Sequence, residues 1–300
     1  MSERLNTPTL VILLVLAMIG WGGSWTSGKV ASGLTQPEII IFWRFLITVL
    51  SMVPLMIVQR ENMRVSKKTF IWLLCAAVLL IAYNMFFLFG VRTGYAGAGG
   101  VLVTTLNPVM TLIWTSLFFR KRPWRLQIVG LFLGLVGGAI ILNIWNISYQ
   151  NLLDSGNAFF LLAPMSWSLL TVLSQKIQRK LSFTVFSFYV YAFATVISFP
   201  LACIHGLWPV SEQAVLLWAN IVFLAIVATS FGATVYFLAS SRMGSQKASS
   251  FTFLIPVIAV LISWLILDEK PLLTTIIGGA LSITAVQLIN MKRRAEASGA

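Results

Sequence analysis

Residues 96–123 read AGAGGVLVTTLNPVMTLIWTSLFFRKRP, and residues 244–271 read GSQKASSFTFLIPVIAVLISWLILDEKP. The stretches lie 148 residues apart, so that Pro108 pairs with Pro256 and Pro123 with Pro271. Each opens with small residues, continues as an apolar run with a proline about a third of the way in, and ends in a charged triplet. An apolar run of about 20 residues is long enough to cross a bilayer as a helix. The pair therefore predicts a membrane protein with an internal repeat.

The whole chain has the composition of an integral membrane protein. Of its 300 residues, 58% are hydrophobic and 10% are charged, and the mean hydropathy is +0.91. Soluble domains have about 45–50% apolar and about 25% charged residues. The predicted fold class is all-α integral membrane, because the apolar runs lack the alternation of barrel strands. Ten runs are found, at residues 8–27, 37–58, 69–91, 97–119, 124–143, 155–175, 183–204, 214–239, 248–267 and 272–291.

The basic residues predict the orientation of the chain in the membrane. Seventeen of the 21 Lys and Arg residues lie in the tails or after even-numbered runs, whereas three, Lys29, Arg92 and Lys270, lie after odd-numbered runs. Short cytoplasmic loops carry an excess of Lys and Arg, so both termini are expected in the cytoplasm. The net charge of +13 is thus explained without nucleic acid, whose binding needs a contiguous basic face.

The repeat divides the chain into residues 1–148 and residues 149–300, each with five of the ten runs. Five is an odd number, so the two halves are expected to have opposite topology in the membrane. Inverted repeats of this kind are typical of secondary transporters, whose substrate site lies near the midplane between the halves. The expected cavity is lined mainly by the first, third, fourth, sixth, eighth and ninth helices.

Several short motifs resemble those of one transporter family. They are Gly20-Trp21-Gly22, Phe42-Trp43-Arg44-Phe45, Leu106-Asn107-Pro108 leading to Lys121, and Ile255-Pro256 leading to Leu267-Asp268-Glu269-Lys270-Pro271 and Gly278. In their order and spacing the chain resembles the ten-span, EamA-like branch of the drug/metabolite transporter superfamily. The resemblance implies a secondary carrier of small metabolites, often an exporter, in a bacterial inner membrane.

The chain departs from the family pattern at the end of the fourth run. The family commonly has a Gly-Glu pair there, and this chain has Arg120-Lys121. The ninth run keeps an acidic residue, Glu269, for which a gating or structural role is predicted. If Glu269 acts in gating, the two halves gate differently.

Polar and aromatic residues at mid-span depth are the candidates for substrate binding. Asn side chains offer donors and acceptors for an ammonium or carboxylate group, and aromatic rings offer faces for apolar groups or cations. The same residue types also join helices or lie at membrane interfaces, and that structural interpretation stays open for each. The predicted substrate-binding residues are Trp21, Tyr83, Asn84, Asn107, Trp167, Ser230 and Tyr236.

Arg44 is the one charged residue well inside an apolar run. Burial of an Arg in a membrane costs several kcal/mol, about 3 on insertion scales, so it requires partners. We favour a gating or structural role, as a partner for helix-end carbonyls or Glu38; the alternative is an anchor for a substrate carboxylate or phosphate. Pro108 and Pro256 are likewise assigned to gating or structure, because proline kinks a helix and frees a carbonyl.

The residue types that the apolar runs lack narrow the range of functions that the protein can have. The eight Asp and Glu residues lie at run ends, in loops or in the tails, and the lone His205 lies at an outer end, which favours exchange or facilitated diffusion over carboxylate-based proton antiport. We find no motif for an enzyme, a metal or another cofactor. The sequence predicts a secondary transporter of small polar metabolites, amino acids favoured, an exporter or exchanger working by alternating access as a monomer or homodimer. The alternatives are a non-transporting scaffold or receptor, or a membrane-embedded lipid-modifying enzyme.

Overall fold

The structure, a computed structural model, describes residues 7–94, 96–120, 123–142, 144–146, 157–208, 212–258 and 273–291. Within these ranges the backbone is helical apart from turns and short connections, and no β-strand occurs. The helices are α1 (Thr7–Leu34), α2 (Pro37–Gln59), α3 (Lys67–Thr93), α4 (Ala96–Phe119), α5 (Arg125–Leu142), α6 (Asn157–Ile177), α7 (Phe183–Ile204), α8 (Ala214–Met243), α9 (beginning with Ser245–Ser250) and α10 (Leu273–Asn290).

Seven of the described helices, α1 to α4 and α6 to α8, are long and apolar enough to cross a membrane. Helices α5 and α10 contain shorter apolar segments, Arg125–Ile140 and Ile276–Asn290. Helix α9 passes through a 3₁₀ turn at Phe251–Phe253 and is helical again over 254–258. The prediction of an all-α, multi-pass membrane protein is therefore confirmed, while the number of ten spans and the location of the termini stay predictions.

Several helix ends follow directly from local sequence. Pro37 stands in the first turn of α2, where its missing N–H leaves no helical bond unmade. The side chains of Ser66 and Ser182 accept hydrogen bonds from the backbone N–H groups of Thr69 and Val185, which caps α3 and α7. Gly244, at φ +95°, turns the chain from α8 into α9.

Glycines on α5 allow close packing against α9 and α10. A Cβ atom on Gly137 would lie 2.7 Å from the carbonyl oxygen of Gly278 on α10, and one on Gly134 would lie 2.3 Å from the ring of Phe253. Such stripes of small residues let helices approach without a driving force from water. Helices α5 and α10 consequently pack along each other, and both lie away from the central cavity.

Gly134→Ala is expected to lower the thermal stability of the protein. The ring of Phe253 is fully buried and lies 2.3 Å from the position of the added methyl, so the substitution overpacks the contact by about 1–3 kcal/mol. The measurement is the thermal unfolding midpoint of the purified protein in detergent.

The matched control is Gly33→Ala, on a helical glycine whose Cβ would have no atom within 4 Å. This change is expected to leave the midpoint unchanged or to raise it, because alanine stabilises an unobstructed helix by about 0.4–1 kcal/mol relative to glycine. Equal effects of the two substitutions would contradict the packing described for α5.

Candidate functional site

A narrow cavity with both polar and apolar lining lies at the centre of the described helices. Its volume is about 30 Å³, and α1, α2, α3, α4, α6, α8 and α9 contribute its walls. The volume admits about two water molecules. All six helices expected to line a cavity take part, and α2 adds the side chain of Arg44.

Aromatic rings form one wall of the cavity. The rings of Trp21 and Trp167 meet edge to face with their centroids 5.1 Å apart, and the ring of Tyr83 lies 4.6 Å from that of Trp167. Tyr236 packs behind them, 5.1 Å from Trp21 and 5.5 Å from Trp167. The wall therefore presents apolar faces to a ligand, while its members fix each other's orientation.

The guanidinium of Arg44 contributes a charged group to the cavity lining. Arg44 is 7% exposed and lines the cavity. Its Nε donates to Thr229 Oγ1 at 2.6 Å, and its Nη1 donates to Asn84 Oδ1 at 2.8 Å. Both acceptors are neutral. Glu38, a partner considered from the sequence, instead lies 3.6 Å from the Nε2 atom of His205.

Thr229 belongs to a π-helical segment that interrupts α8 at Leu224–Ala233. Its hydroxyl also lies 2.8 Å from the carbonyl oxygen of Leu224, five residues earlier. The indole Nε1 of Trp21 donates to the carbonyl oxygen of Ala228 at 2.8 Å, and a Cβ on Gly232 would lie only 2.8 Å from that nitrogen. The wider turn thus places backbone carbonyls and a hydroxyl at the cavity, as π-bulges frequently do at functional sites.

The two prolines assigned to gating or structure lie next to a contact between α4 and α9. Pro108 cannot donate to the carbonyl oxygen of Thr104, four residues earlier. That oxygen instead accepts a hydrogen bond of 2.8 Å from Thr252 Oγ1. Thr252 lies four residues before Pro256 and belongs to the 3₁₀ turn of α9, and both threonines line the cavity.

Two further polar atoms of the cavity lining are buried without hydrogen bonds among the described residues. They are Asn107 Oδ1 and Trp167 Nε1; the Trp167 and Asn107 side chains each come within hydrogen-bonding reach of the Tyr236 hydroxyl as donors. Asn107 is 3% and Trp167 4% exposed. Buried polar atoms nearly always have partners. The Tyr236 hydroxyl is the neighbour of the Trp167 N–H, so Asn107 Oδ1 is the atom that is available to a ligand.

The structure brings most of the predicted site residues together. Five of the seven line the cavity, namely Trp21, Tyr83, Asn84, Asn107 and Trp167. Tyr236 is fully buried behind the aromatic wall. Ser230 lies elsewhere, because its hydroxyl is 2.8 Å from that of Ser51, in an exposed contact between α8 and α2. Glu269 lies outside the described residues.

Sequence reasoning did not single out Thr104 and Thr252 as site residues. A signal was present, because the offset of 148 that pairs the two prolines also pairs these threonines. The π-helical segment had no comparable signal, since the apolar run continues through it without proline or charge.

A second pocket, with polar and basic residues in its walls, lies at the end of the helix bundle where the basic residues are concentrated. Its volume is about 190 Å³, and its walls include Gln175, Arg179, Gln246 and Lys247. The pocket lies between the ends of α4, α6 and α8 and the start of α9. In the described part of the chain no cluster of His, Cys, Asp or Glu suited to a metal ion is found.

A helical, multi-pass membrane protein with a central cavity between seven of its helices, lined by apolar side chains and a few polar groups, has the construction of a membrane transporter. The sequence profile of the EamA-like transporter family matches residues 8–143 and again residues 154–291. The chain therefore belongs to the EamA-like transporter family.

Relatives that align over three quarters or more of the chain carry transporter names. The uncharacterized transporter YvbV of Bacillus subtilis is 25% identical, with 99% of this chain and 97% of that protein aligned. A protein of Streptantibioticus cattleyicolor named "probable terminal-alkyne amino-acid exporter" is 26% identical over 75% of each chain. A crystal structure with 16% identity superposes with a TM-score of 0.76 over 94% of this chain and 96% of its own, which shows a shared fold.

Thr229→Val is expected to destabilise the protein because it removes the hydroxyl that holds Arg44 while keeping the side-chain shape. Loss of a hydrogen bond to a charged group costs about 1.5–3 kcal/mol, so the thermal unfolding midpoint should fall by several degrees.

Thr111→Val is the matched control, because the buried Thr111 hydroxyl bonds the carbonyl oxygen of Asn107 in its own helix. Its midpoint should change little. A stable Thr229→Val variant would contradict the role assigned to this hydroxyl.

Proposed function

We propose that the protein is a secondary transporter of small polar metabolites, with amino acids as the favoured substrates, and that it acts as an exporter or exchanger in a bacterial inner membrane. The observation that carries the proposal is the central cavity, in which uncharged polar groups and one cation face an aromatic wall. A structural scaffold has no need of buried polar groups without partners, whereas a carrier uses them to bind its substrate.

The composition of the cavity supports a small amphiphilic substrate. Asn84, Asn107 and the threonines provide hydrogen-bonding groups, while Trp21, Trp167 and Tyr83 provide apolar surface. A multiply charged metabolite would require an array of opposite charges, and among the described lining residues Arg44 is the charged one. The name of the Streptantibioticus relative, an amino-acid exporter, agrees with this substrate class.

Alternating access accounts for the small volume of the cavity. A space for about two water molecules is too small for an amino acid, so substrate binding requires the surrounding helices to separate. The hydrogen bond from Thr252 to the carbonyl oxygen of Thr104 joins residues 148 apart, the same offset as the internal repeat. Equivalent positions of two repeats meet at their symmetry axis, which supports two inverted five-helix halves that move about this contact.

The basic end of the bundle is the proposed cytoplasmic side, with both termini in the cytoplasm. The pocket lined by Arg179, Gln246 and Lys247 lies at that end. We infer that it is an entry from the cytoplasm, which export requires.

The mode of energy coupling is inferred from the titratable groups of the cavity lining. Among the described residues that line the cavity there is no carboxylate or histidine, and these are the groups that usually carry protons in membrane pumps. Exchange of one substrate molecule for another, or facilitated diffusion down a gradient, is therefore proposed in place of proton antiport.

Counterflow in proteoliposomes tests the proposal. Vesicles loaded with unlabelled L-leucine, or with another amino acid of a labelled panel, are expected to accumulate the same labelled amino acid transiently and saturably. Asn107→Ala should reduce the initial rate at least tenfold, because it removes a buried acceptor from the cavity. A pH gradient should not alter the exchange.

Asn220→Ala is the matched control, since Asn220 is half-buried on α8, does not line the cavity, and bonds the carbonyl oxygen of Leu216 in its own helix. Its rate should equal that of the unmodified protein. Absence of counterflow for every amino acid would refute the substrate class, and equal rates for the two variants would refute the site.

A further inference from the structure

Arg44 carries a charge that no described side chain neutralises. Three acidic residues fall within the described ranges: Glu38 lies against His205, and Glu61 and Glu212 lie in connections outside the helices. The remaining five acids lie, by sequence, in the tails or at the ends of the apolar runs. No carboxylate of the described chain comes within 4.0 Å of the guanidinium.

The guanidinium also has unused hydrogen-bonding capacity. It has five N–H donors in a planar fork, and two of them bond Thr229 and Asn84. Three donors, including both on Nη2, have no partner among the described residues, and the side chain borders the cavity. An ion inside a membrane protein normally pairs with an opposite charge or lines a binding pathway.

Its two holders are themselves fixed. The Asn84 amide donates to the carbonyl oxygen of Leu80 at 2.8 Å, and the Thr229 hydroxyl donates to the carbonyl oxygen of Leu224 at 2.8 Å. The guanidinium is thus oriented before any ligand binds, and the ordering cost of a long side chain is met on folding. Preorganisation of this kind favours binding of a matching group.

We propose that Arg44 is the carboxylate anchor of the transporter, and that the substrates are compact monocarboxylates with an apolar body. The inference rests on the proposed function and deepens it. A carboxylate accepts two parallel N–H bonds from a guanidinium and neutralises its charge, which the neutral oxygens of Thr229 and Asn84 do not.

The other end of the ligand is specified by the remaining cavity groups. Asn107 Oδ1 is an unpartnered acceptor, and the faces of Trp21 and Trp167 border the same space. An ammonium group suits both, as a donor and as a cation beside aromatic rings. Neutral α-amino acids therefore satisfy the cavity more fully than carboxylates without an amine.

The first arm of the test needs no variant. Binding to the full-length protein in detergent is followed by tryptophan fluorescence and thermal unfolding with two matched series. One comprises L-leucine, L-leucinamide, 4-methylpentanoate and 3-methylbutylamine, and the other comprises the corresponding phenylalanine derivatives. Carboxylates are expected to bind at least tenfold more tightly than the matched amide and amine in at least one series. Lack of a carboxylate preference in both series would overturn the proposal.

The second arm separates an anchor from a structural tie. Arg44→Gln should weaken carboxylate binding at least tenfold and amide binding at most twofold, and Arg44→Lys should be intermediate because it lacks the fork. Arg92→Gln, at the exposed end of α3, is the control. Equal loss for carboxylate and amide, or no loss, would assign Arg44 to structure. If Arg44→Gln is not monodisperse, the same ratio is read from Arg44→Lys.

The two proposals fail in different ways. Carboxylate-selective binding without counterflow would refute transport of these substrates and leave the anchor standing. Counterflow without carboxylate preference would support the transporter and refute the anchor.

Discussion

The guanidinium of Arg44 is the charge around which the central helices are arranged. An ion at this position in a membrane protein requires hydrogen-bonding oxygens that lipid cannot supply. Asn84 on α3 and Thr229 on α8 supply them, so that one side chain of α2 joins three helices. The same arrangement leaves part of the guanidinium facing the cavity, where the charge is available to a ligand.

The π-helical segment of α8 and the glycines of α1 and α8 follow from this requirement. The wider turn brings Thr229 and the carbonyl group of Ala228 to the cavity, where they meet Arg44 and Trp21. Gly20 and Gly232 leave room for this turn because neither has a Cβ atom. A Cβ at either position would collide with the facing helix. Close packing at these points reduces the cavity to water-sized space.

Much of the fold was predictable from the sequence, because apolar runs of the length of a bilayer leave few alternatives to helices. The membrane class, the helix positions and five of the seven substrate-binding candidates in the cavity follow from run length and from polar residues at mid-depth. The rotation of each helix was less predictable. Ser230 and Thr229 are adjacent in sequence, and only the packing of α8 determines which of them faces Arg44.

The role of Arg44 was also underdetermined by sequence. A buried arginine requires partners, but sequence alone does not show whether those partners are carboxylates. A gating or structural role was favoured because members of the resembled family that have different substrates show an arginine here. The structure shows neutral partners and the pairing of Glu38 with His205. Glu269 lies outside the described residues, so its predicted part in gating stays a prediction from sequence.

The most direct test is a solid-state NMR distance measurement on the protein in lipid bilayers. Arginine labelled with ¹⁵N at the guanidinium and L-leucine labelled with ¹³C at the carboxylate are combined, and the dipolar dephasing of the carboxylate is compared between the unmodified protein and Arg44→Lys. A carboxylate bound to the Arg44 fork lies within about 4 Å of its nitrogens, so strong dephasing is expected only in the unmodified protein. Bound leucine with no dephasing, or with equal dephasing in both proteins, would show that the substrate carboxylate is held elsewhere.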